Sequence, residues 1–287
     1  MSLGSSDRAV IFGARGFIGQ AVSREFANRD WDVVEVTSSD IDLLGQNASE
    51  MISDLLRETD RVIFLSILMD RNNQPNAVLR SNLQMATAYQ EAMLRCMPRQ
   101  VCYVSTDGVY PFGDKPVNEA TTARAEGLYA AAHLAREAIF DALGHGQTCI
   151  VRPTMVFGSH DPHNAYGPNR FLREAQADNK ITLFGTGEET RDHIHVADVA
   201  ALIASLVEHK SSGIYNLATG YSMSFLDVAR SVVAAIGEEI PIKYVDQMRP
   251  ITHRLFDVTK LTSLFPDYKF RNFEGSLRSM ILQRDGI

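Results

Sequence analysis

Apolar residues fall into short runs along the first two thirds of the chain, and these runs alternate with stretches of helical spacing. Arg8 to Phe12 is an apolar run that stops at Gly13, and Phe17 to Phe26 follows with apolar positions three and four apart. Together they predict a strand, a tight turn and a helix. β-Branched and aromatic runs recur at Asp32 to Val36, Arg61 to Leu68 and Gln100 to Ser105, with helical spacing at Glu50 to Leu56 and Leu79 to Arg95. Thr148 to Val156 predicts another strand and Gly213 to Leu217 a last one. Strands alternating with helices imply βαβ units, a parallel sheet and right-handed crossovers, which is the doubly wound α/β class.

Two segments break the alternation. Ser159 to Arg173 and Gln247 to Phe270 are dense in Pro, His, Asn and Arg without a steady period. They are assigned to a smaller lobe, discontinuous because Asp192 to Ala218 between them reads as sheet and helix again. A length of 287 residues suits one large domain or a main domain with a dependent lobe. The opening Met1-Ser2-Leu3-Gly4 reads as an appendage outside the fold.

Composition narrows the function. Hydrophobic residues at 45% and charged residues at 22% are ordinary globular usage. A net charge of -7 speaks against a nucleic-acid partner, which needs clustered Lys and Arg. Cys96, Cys102 and Cys149 are too scattered for a disulfide framework or a metal clip, and they fit a reducing, cytoplasmic setting. No apolar run approaches the roughly 20 residues of a membrane helix, so no membrane association is expected. His160, His163, His193 and His195 lack the spacing of a metal site, so no metal is expected.

Gly13-Ala14-Arg15-Gly16-Phe17-Ile18-Gly19 places glycines three apart, directly after a strand and at the head of a helix. In that context the first glycine permits the turn, the second lets backbone approach a pyrophosphate, and the third lets helix and strand pack closely. The phosphates then sit on a helix N-terminus. Dinucleotide binding is the expectation, with a plain structural turn as the alternative. An acid ending the second strand would bond the ribose hydroxyls of NAD, yet this strand ends Val36-Thr37-Ser38-Ser39. With Arg15 able to meet a 2'-phosphate, NADP is slightly favoured over NAD. On the other reading Arg15 is merely solvated and Thr37 caps the next segment. Thr37, Ser38, Asp42 and Leu43 are the candidates around the adenosine.

Val101 to Tyr110 is a β-rich run that delivers Ser105, Thr106 and Asp107 to the end of a strand, where open α/β sheets bind ligands. Tyr129-Ala130-Ala131-Ala132-His133 then reads as helix, with Tyr129 and His133 on one face. By spacing alone the pair is a core tyrosine and its neighbour.

These segments together resemble the extended short-chain dehydrogenases/reductases, in the NAD-dependent epimerase/dehydratase branch that modifies nucleotide sugars. Gly13 to Gly19 resembles that family's G-x-x-G-F-I-G loop, Ser105 to Tyr110 its S-[ST]-x-x-V-Y segment, and Tyr129 to His133 its Y-x-x-x-K motif. Arg152 to Gly158, Arg191 to Asp198 and Gly213 to Asn216 are similar to its R-x-x-N-V-Y-G, R-D-[FY]-[IV]-H-V-x-D and G-x-Y-N segments. The order is the family's, and the match runs along almost the whole chain.

The resemblance implies a Rossmann-type doubly wound parallel sheet, with residues 6–158 and 191–219 binding the dinucleotide and residues 159–190 and 220–287 forming the substrate-binding lobe. It implies hydride transfer at a sugar ring carbon, with Tyr129 as general acid/base and Thr106 bonding the reacting oxygen. The cofactor side would take Gly13, Arg15, Gly16, Phe17, Ile18, Gly19, Ser66, Asn82, Tyr129 and His133; Asn82 is equally readable as structural. Asp107, Arg191 and Arg249 fall to the substrate, the two arginines on its diphosphate; a salt bridge with a neighbouring acid is the plain alternative for Arg191. Relatives pair through the helix that carries the motif tyrosine, which implies a homodimer.

Three departures matter. His133 replaces the family lysine, and with a reference pKa of about 6.5 it is mostly uncharged above neutral pH, which predicts a weaker Tyr129. Met155 stands where a phosphate-contacting Asn is usual. Gly108 replaces the second acid of the 4,6-dehydratases, so an epimerase or 4-keto reductase is expected instead. A catalytically silent cofactor-binding protein and a reductase of non-nucleotide carbonyls are the rivals.

Overall fold

The computed structural model describes residues 7–70, 72–143 and 146–285; Met1 to Gly4 lie outside them. In chain order the elements are β1 (Arg8–Phe12), α1 (Phe17–Asn28), β2 (Asp32–Val36), α2 (Ala48–Leu55), β3 (Arg61–Phe64), α3 (Pro75–Met93), β4 (Gln100–Val104), a 3-10 turn at Asp107–Val109, α4 (Leu128–Asp141) and β5 (Thr148–Pro153). There follow β6 (Met155–Phe157), α5 (Pro168–Asp178), β7 (Ile181–Phe184), β8 (Thr190–His195), α6 (Val196–Glu208), β9 (Gly213–Leu217), β10 (Ser222–Ser224), α7 (Phe225–Ile236), β11 (Ile242–Val245), α8 (Thr259–Leu264) and α9 (Phe273–Asp285). No described helix is long and apolar enough to cross a membrane.

The chain forms two compact units. The first takes the described residues up to Pro111, then Thr121–Pro153 and Val199–Tyr215. Its sheet has the strand order β2-β1-β3-β4-β5-β9, with β2/β1, β1/β3, β3/β4 and β4/β5 pairing in parallel. The inner strands β3 and β4 are buried at every residue, and their near-continuous apolar sequences follow from helices covering both faces. β2, at the edge, is exposed at Asp32 and Glu35 and half-buried at Val33 and Val34 before closing on buried Val36. After β2 the chain crosses to the other side of β1 to lay down β3, so the winding reverses between β1 and β3, the crevice where open α/β sheets take ligands. One face is filled by an aromatic cluster: Tyr89 lies 5.4 Å from Phe12, 4.8 Å from Phe64 and 5.3 Å from Phe140, and Tyr103 stacks on Phe140 at 4.6 Å.

The second unit takes Phe112–Ala120, Thr154–Asp198 and the described residues from Asn216 onward. It carries a three-stranded sheet, β10-β8-β6, and the parallel pair β11-β7, around a core that includes Phe157, Phe171, Leu183, Phe225, Val228 and Leu277. The run expected as one strand from Thr148 to Val156 is thus two. Pro153 ends β5, and Thr154 donates its amide to Leu217 O and its hydroxyl to Asp192 O, so β6 resumes in a different sheet. The segment from Ser159 to Arg173, which shows no period in sequence, contains the start of α5, introduced by Gly167 and by Pro168 at the first helical turn.

Candidate active site

The corner after β1 is held from three sides. Gly13 has a φ of 85°, a left-handed conformation that disfavours side chains, and a Cβ there would meet Ser66 N at 2.9 Å. Its amide donates to Val36 O and its carbonyl accepts from Gly16 N, while Leu65 N donates to Phe12 O. The first-strand corner, the end of β2 and the chain leaving β3 therefore meet at the switch point. Gly19, inside the first turn of α1, packs against Gly13 O and the Ala14 backbone so closely that a Cβ would collide with both. Gly16 is the N-cap of α1, without a side-chain cap and with no acid in the first turn. The amides at this helix start are free to meet an anion. Phe17 and Ile18 are half-buried in that turn, and Arg15 is exposed.

At the end of β2, Thr37 is engaged locally. Its amide and hydroxyl both donate to Asp40 Oδ2, at 2.9 and 2.6 Å, and these bonds hold the Asp40 carboxyl below its ordinary pKa, with the charge of Arg15 adding to the effect. An acid thus does sit at this strand end, four residues past Val36, folded back by a turn that the sequence does not announce. Ser38 is exposed; Asp42 closes its own turn through Leu44 N; Leu43 lies in the hydrophobic core beside Ile41 and Ile52.

The end of β4 meets α4. Thr106 accepts from Gly108 N and caps the 3-10 turn that carries buried Asp107. Tyr129 stands at the second residue of α4 with 45% of its surface open. The protein around its hydroxyl raises its pKa, chiefly by burial and then through the Asp107 carboxylate, while a hydrogen bond with Thr106 and the charge of Arg136 pull the other way. His133 is one turn on, its ring edge-on to Tyr129 at 4.7 Å. It is 2% exposed, with Nδ1 2.8 Å from the Tyr103 hydroxyl and Nε2 without a partner. Burial, helped by Arg136, lowers its pKa to about 3.

Two residues, Arg136 and Glu137, bring chemistry that the motifs did not single out. Arg136, fully buried, donates to Ser66 O at 2.6 Å and Asn82 Oδ1 at 3.3 Å and lies 5.2 Å from the ring centres of both Phe64 and Tyr103. Asn82 also clamps the main chain of Leu68 through both its amide atoms, so this one side chain ties α3, α4 and the segment after β3 together. Glu137 accepts from Ser105 Oγ and, through both its oxygens, from Arg152. Burial works against the charge on Arg152, but the Glu137 pair outweighs it and raises the arginine's pKa. A helical reading carried two turns beyond Tyr129 finds Arg136 and Glu137, since positions seven and eight along share its face.

In the second unit, Arg191 donates to Thr190 O, Thr252 O and Thr252 Oγ1, with Glu189 3.6 Å away and Phe112 beneath its guanidinium at 4.7 Å. Its neighbour Asp192 is wholly buried and accepts from Thr219 N, Thr219 Oγ1 and Gly220 N, pinning the turn between β9 and β10. Arg249 is exposed in a stretch without regular structure. Burial pushes His193 down to a pKa of about 3.

His133 and His193 are therefore neutral in the fold but take up a proton in the unfolded chain below a pH of about 6.5. A depressed folded-state pKa on a base means that stability falls as pH drops through the window from about 6.5 to about 3, by roughly 1.4 kcal/mol per pH unit for each histidine. Urea midpoints measured across that window should fall accordingly, and His133→Gln should flatten the slope by one histidine's share. An unaltered slope in that variant refutes the assignment.

Comparison with known proteins identifies the group. The NAD dependent epimerase/dehydratase family matches residues 9–218, well over half the chain. The chain belongs to this family. Among its relatives is the probable GDP-L-fucose synthase 1 of Oryza sativa subsp. japonica, 25% identical over 284 residues and covering 90% of this chain and 86% of that one. The UDP-glucose 4-epimerase of Thermus thermophilus, solved with NAD, superposes with a TM-score of 0.84 at 20% identity over 97% of this chain and 99% of the other. The UDP-N-acetylglucosamine 4-epimerase of Methanobrevibacter ruminantium, solved with UDP-N-acetylmuramic acid, gives 0.83 at 20% identity over 98% and 99%. The Rossmann-type doubly wound fold expected of a family member is the one found.

Proposed function

We propose that the chain is an NAD(P)-dependent epimerase or 4-keto reductase of a nucleotide-linked hexose. The observation that carries this reading is the corner of Gly13, Gly16 and Gly19, where a Cβ on Gly13 or Gly19 would strike backbone and Gly16 leaves the helix start without a side chain, opening on uncapped amides at the switch point. Such a cradle fits the pyrophosphate of a dinucleotide, and the relatives' substrates, as their names give them, supply the nucleotide sugar.

NAD(P), when bound, supplies reversible hydride acceptance at the nicotinamide ring. The chain's own residues would do the rest. Tyr129 holds the proton exchanged with the sugar oxygen, a contribution of roughly 10² to 10⁴ in rate. Thr106 orients that oxygen and the phenol together. His133 backs Tyr129 from the buried side, its unpartnered Nε2 closed off from solvent, while Ser66 and Asn82 shape the segment after β3. Arg191, held by Thr252, and Arg249 take the diphosphate. Arg15, exposed beside a Thr37 and Asp40 that satisfy one another, favours NADP over NAD.

Titration with NADPH and NADH is the first test. Saturable binding is expected, tighter for NADPH, with Arg15→Ala erasing the difference. Gly16→Asp should abolish binding yet leave the fold intact, because aspartate is a good N-cap at this β-region φ and ψ but repels phosphate. Turnover of a 4-keto nucleotide sugar should follow, with Arg191→Ala raising KM while dinucleotide affinity holds. Failure of both dinucleotides to bind overturns the reading. The neutral burial of His133 favours a second one, a cofactor-binding but silent protein, which bound NADP(H) without turnover of any 4-keto or 4-hydroxy nucleotide sugar would establish.

A further inference from the structure

A wholly buried guanidinium normally sits against a carboxylate, because an isolated charge is costly to take out of water. Arg136 does not. Among the described residues no acid lies within ion-pair distance of it; its contacts are the Ser66 carbonyl, the Asn82 amide oxygen and the faces of Phe64 and Tyr103, and its Nε has no partner. Neutral dipoles and ring faces lower the cost of the charge without cancelling its field. The field thus extends along the buried side of α4 toward Tyr129, whose outer side is open to solvent. The two residues are seven apart on α4, about 10 Å of helix rise, and a buried path joins them: the guanidinium lies 5.2 Å from the Tyr103 ring centre, the Tyr103 hydroxyl is 2.8 Å from His133 Nδ1, and the His133 ring meets Tyr129 at 4.7 Å.

The other groups around Tyr129 leave this charge unopposed except at one point. On α4, His133 is bonded to Tyr103 of β4, and Glu137 is paired with Arg152 of β5. The loop before α4 carries Arg124 and Glu126, both exposed to solvent. From the turn after β4 comes the Asp107 carboxylate, which disfavours a phenolate. Arg136 is therefore the one buried cation near the phenol that no acid neutralises among the described residues.

We infer that Arg136 is a positioning residue for the reaction proposed above: its buried, acid-free guanidinium is the fixed positive charge that favours the ionised form of Tyr129, a charge that the imidazole at position 133 does not supply. The inference rests on Tyr129 being the general acid/base, but the interaction can be measured with no substrate or dinucleotide present. Its prerequisite is met by the packing, since Ser66 O and Asn82 Oδ1 fix the guanidinium at the head of the segment that also abuts Gly13.

The test is a spectrophotometric tyrosine titration in which each protein is compared with its own Tyr129→Phe derivative, so that the difference reports Tyr129 alone. Arg136→Gln is expected to move the Tyr129 midpoint up by about one pH unit, equivalent to about tenfold less phenolate at a given pH. Arg136→Lys should keep most of the wild-type value. Because Arg136→Gln risks the fold, Asn82→Asp provides a second route: it leaves the guanidinium in place and sets a carboxylate against it, and it should raise the midpoint in the same way. A midpoint equal to wild type in Asn82→Asp, or in a folded Arg136→Gln, overturns the inference. Failure of NADPH to bind while the midpoints shift would overturn the functional reading and leave the electrostatic assignment standing.

Discussion

Replacing Gly19 with alanine is expected to lower the unfolding free energy by about 3 kcal/mol and to weaken dinucleotide binding at least about tenfold. The added methyl would fall inside contact distance of Gly13 O and 2.9 Å from both Cα and O of Ala14, all backbone atoms. A flexible side chain could swing away, but a main-chain carbonyl in a tight turn moves only if the turn opens. Opening it disturbs the Gly13 N to Val36 O and Gly16 N to Gly13 O bonds, so the helix N-terminus shifts from its place between β1 and β3. Stability and affinity should therefore fall together. Gly113→Ala is the control, since a Cβ there meets nothing within 4 Å, and it should stay within about 0.5 kcal/mol of wild type. Denaturant midpoints and an NADPH titration on both variants decide the matter. Gly19→Ala behaving like Gly113→Ala would remove the close-packing argument for the third glycine.

The glycine corner was legible in the sequence because the physics there is local: three glycines at fixed spacing between an apolar run and a helix have few other uses. Gly213 to Leu217 was equally plain, an isolated β-branched and aromatic run after a glycine, and it is β9 residue for residue, though not the last strand, since the short β10 and β11 of the second unit follow it. What escaped depends on contacts between distant positions. Asp40 looks like a loop residue until the chain turns back to put its carboxylate on Thr37. Arg61 to Leu68 reads as one strand, but β3 ends at Phe64; beyond it Leu65 still donates to Phe12 O, Ser66 is held by Arg136, and Leu68 by Asn82, fourteen positions away. α7 is regularly amphipathic, with Phe225, Val228, Ala229 and Val232 on its buried face, and its period was there to be read; α5 begins inside a Pro- and Asn-rich segment that hides it, and α9 has only a weak apolar stripe. Arg136 is the instructive case at the site. Its spacing from Tyr129 was visible, but its burial without an acid is a property of Ser66, Asn82, Phe64 and Tyr103 converging from three other elements.

Removing the Arg152 guanidinium should be the most damaging single change in the first unit. Arg152 and Glu137 are 3% and 6% exposed, and Arg152 bridges both carboxylate oxygens at 2.9 and 2.5 Å while lying 4.8 Å over the Tyr110 ring. Arg152→Met keeps much of the volume but strands the Glu137 carboxylate with the Ser105 hydroxyl alone, and an uncompensated buried charge costs about 3–5 kcal/mol. For a unit of this size that is roughly a 10 °C fall in Tm. The double variant Glu137→Leu/Arg152→Met removes both charges and should regain most of the loss, since a buried ion pair is worth little more than well-packed apolar groups of the same volume. Activity should not return with stability. Ser105 follows β4 immediately before Thr106, and Glu137 fixes its hydroxyl at 2.5 Å, so apolar residues that restore packing leave the Thr106 and Tyr129 turn without its anchor. A double variant as unstable as the single one would mean that Tyr110 packing, not charge, holds β4, α4 and β5 together.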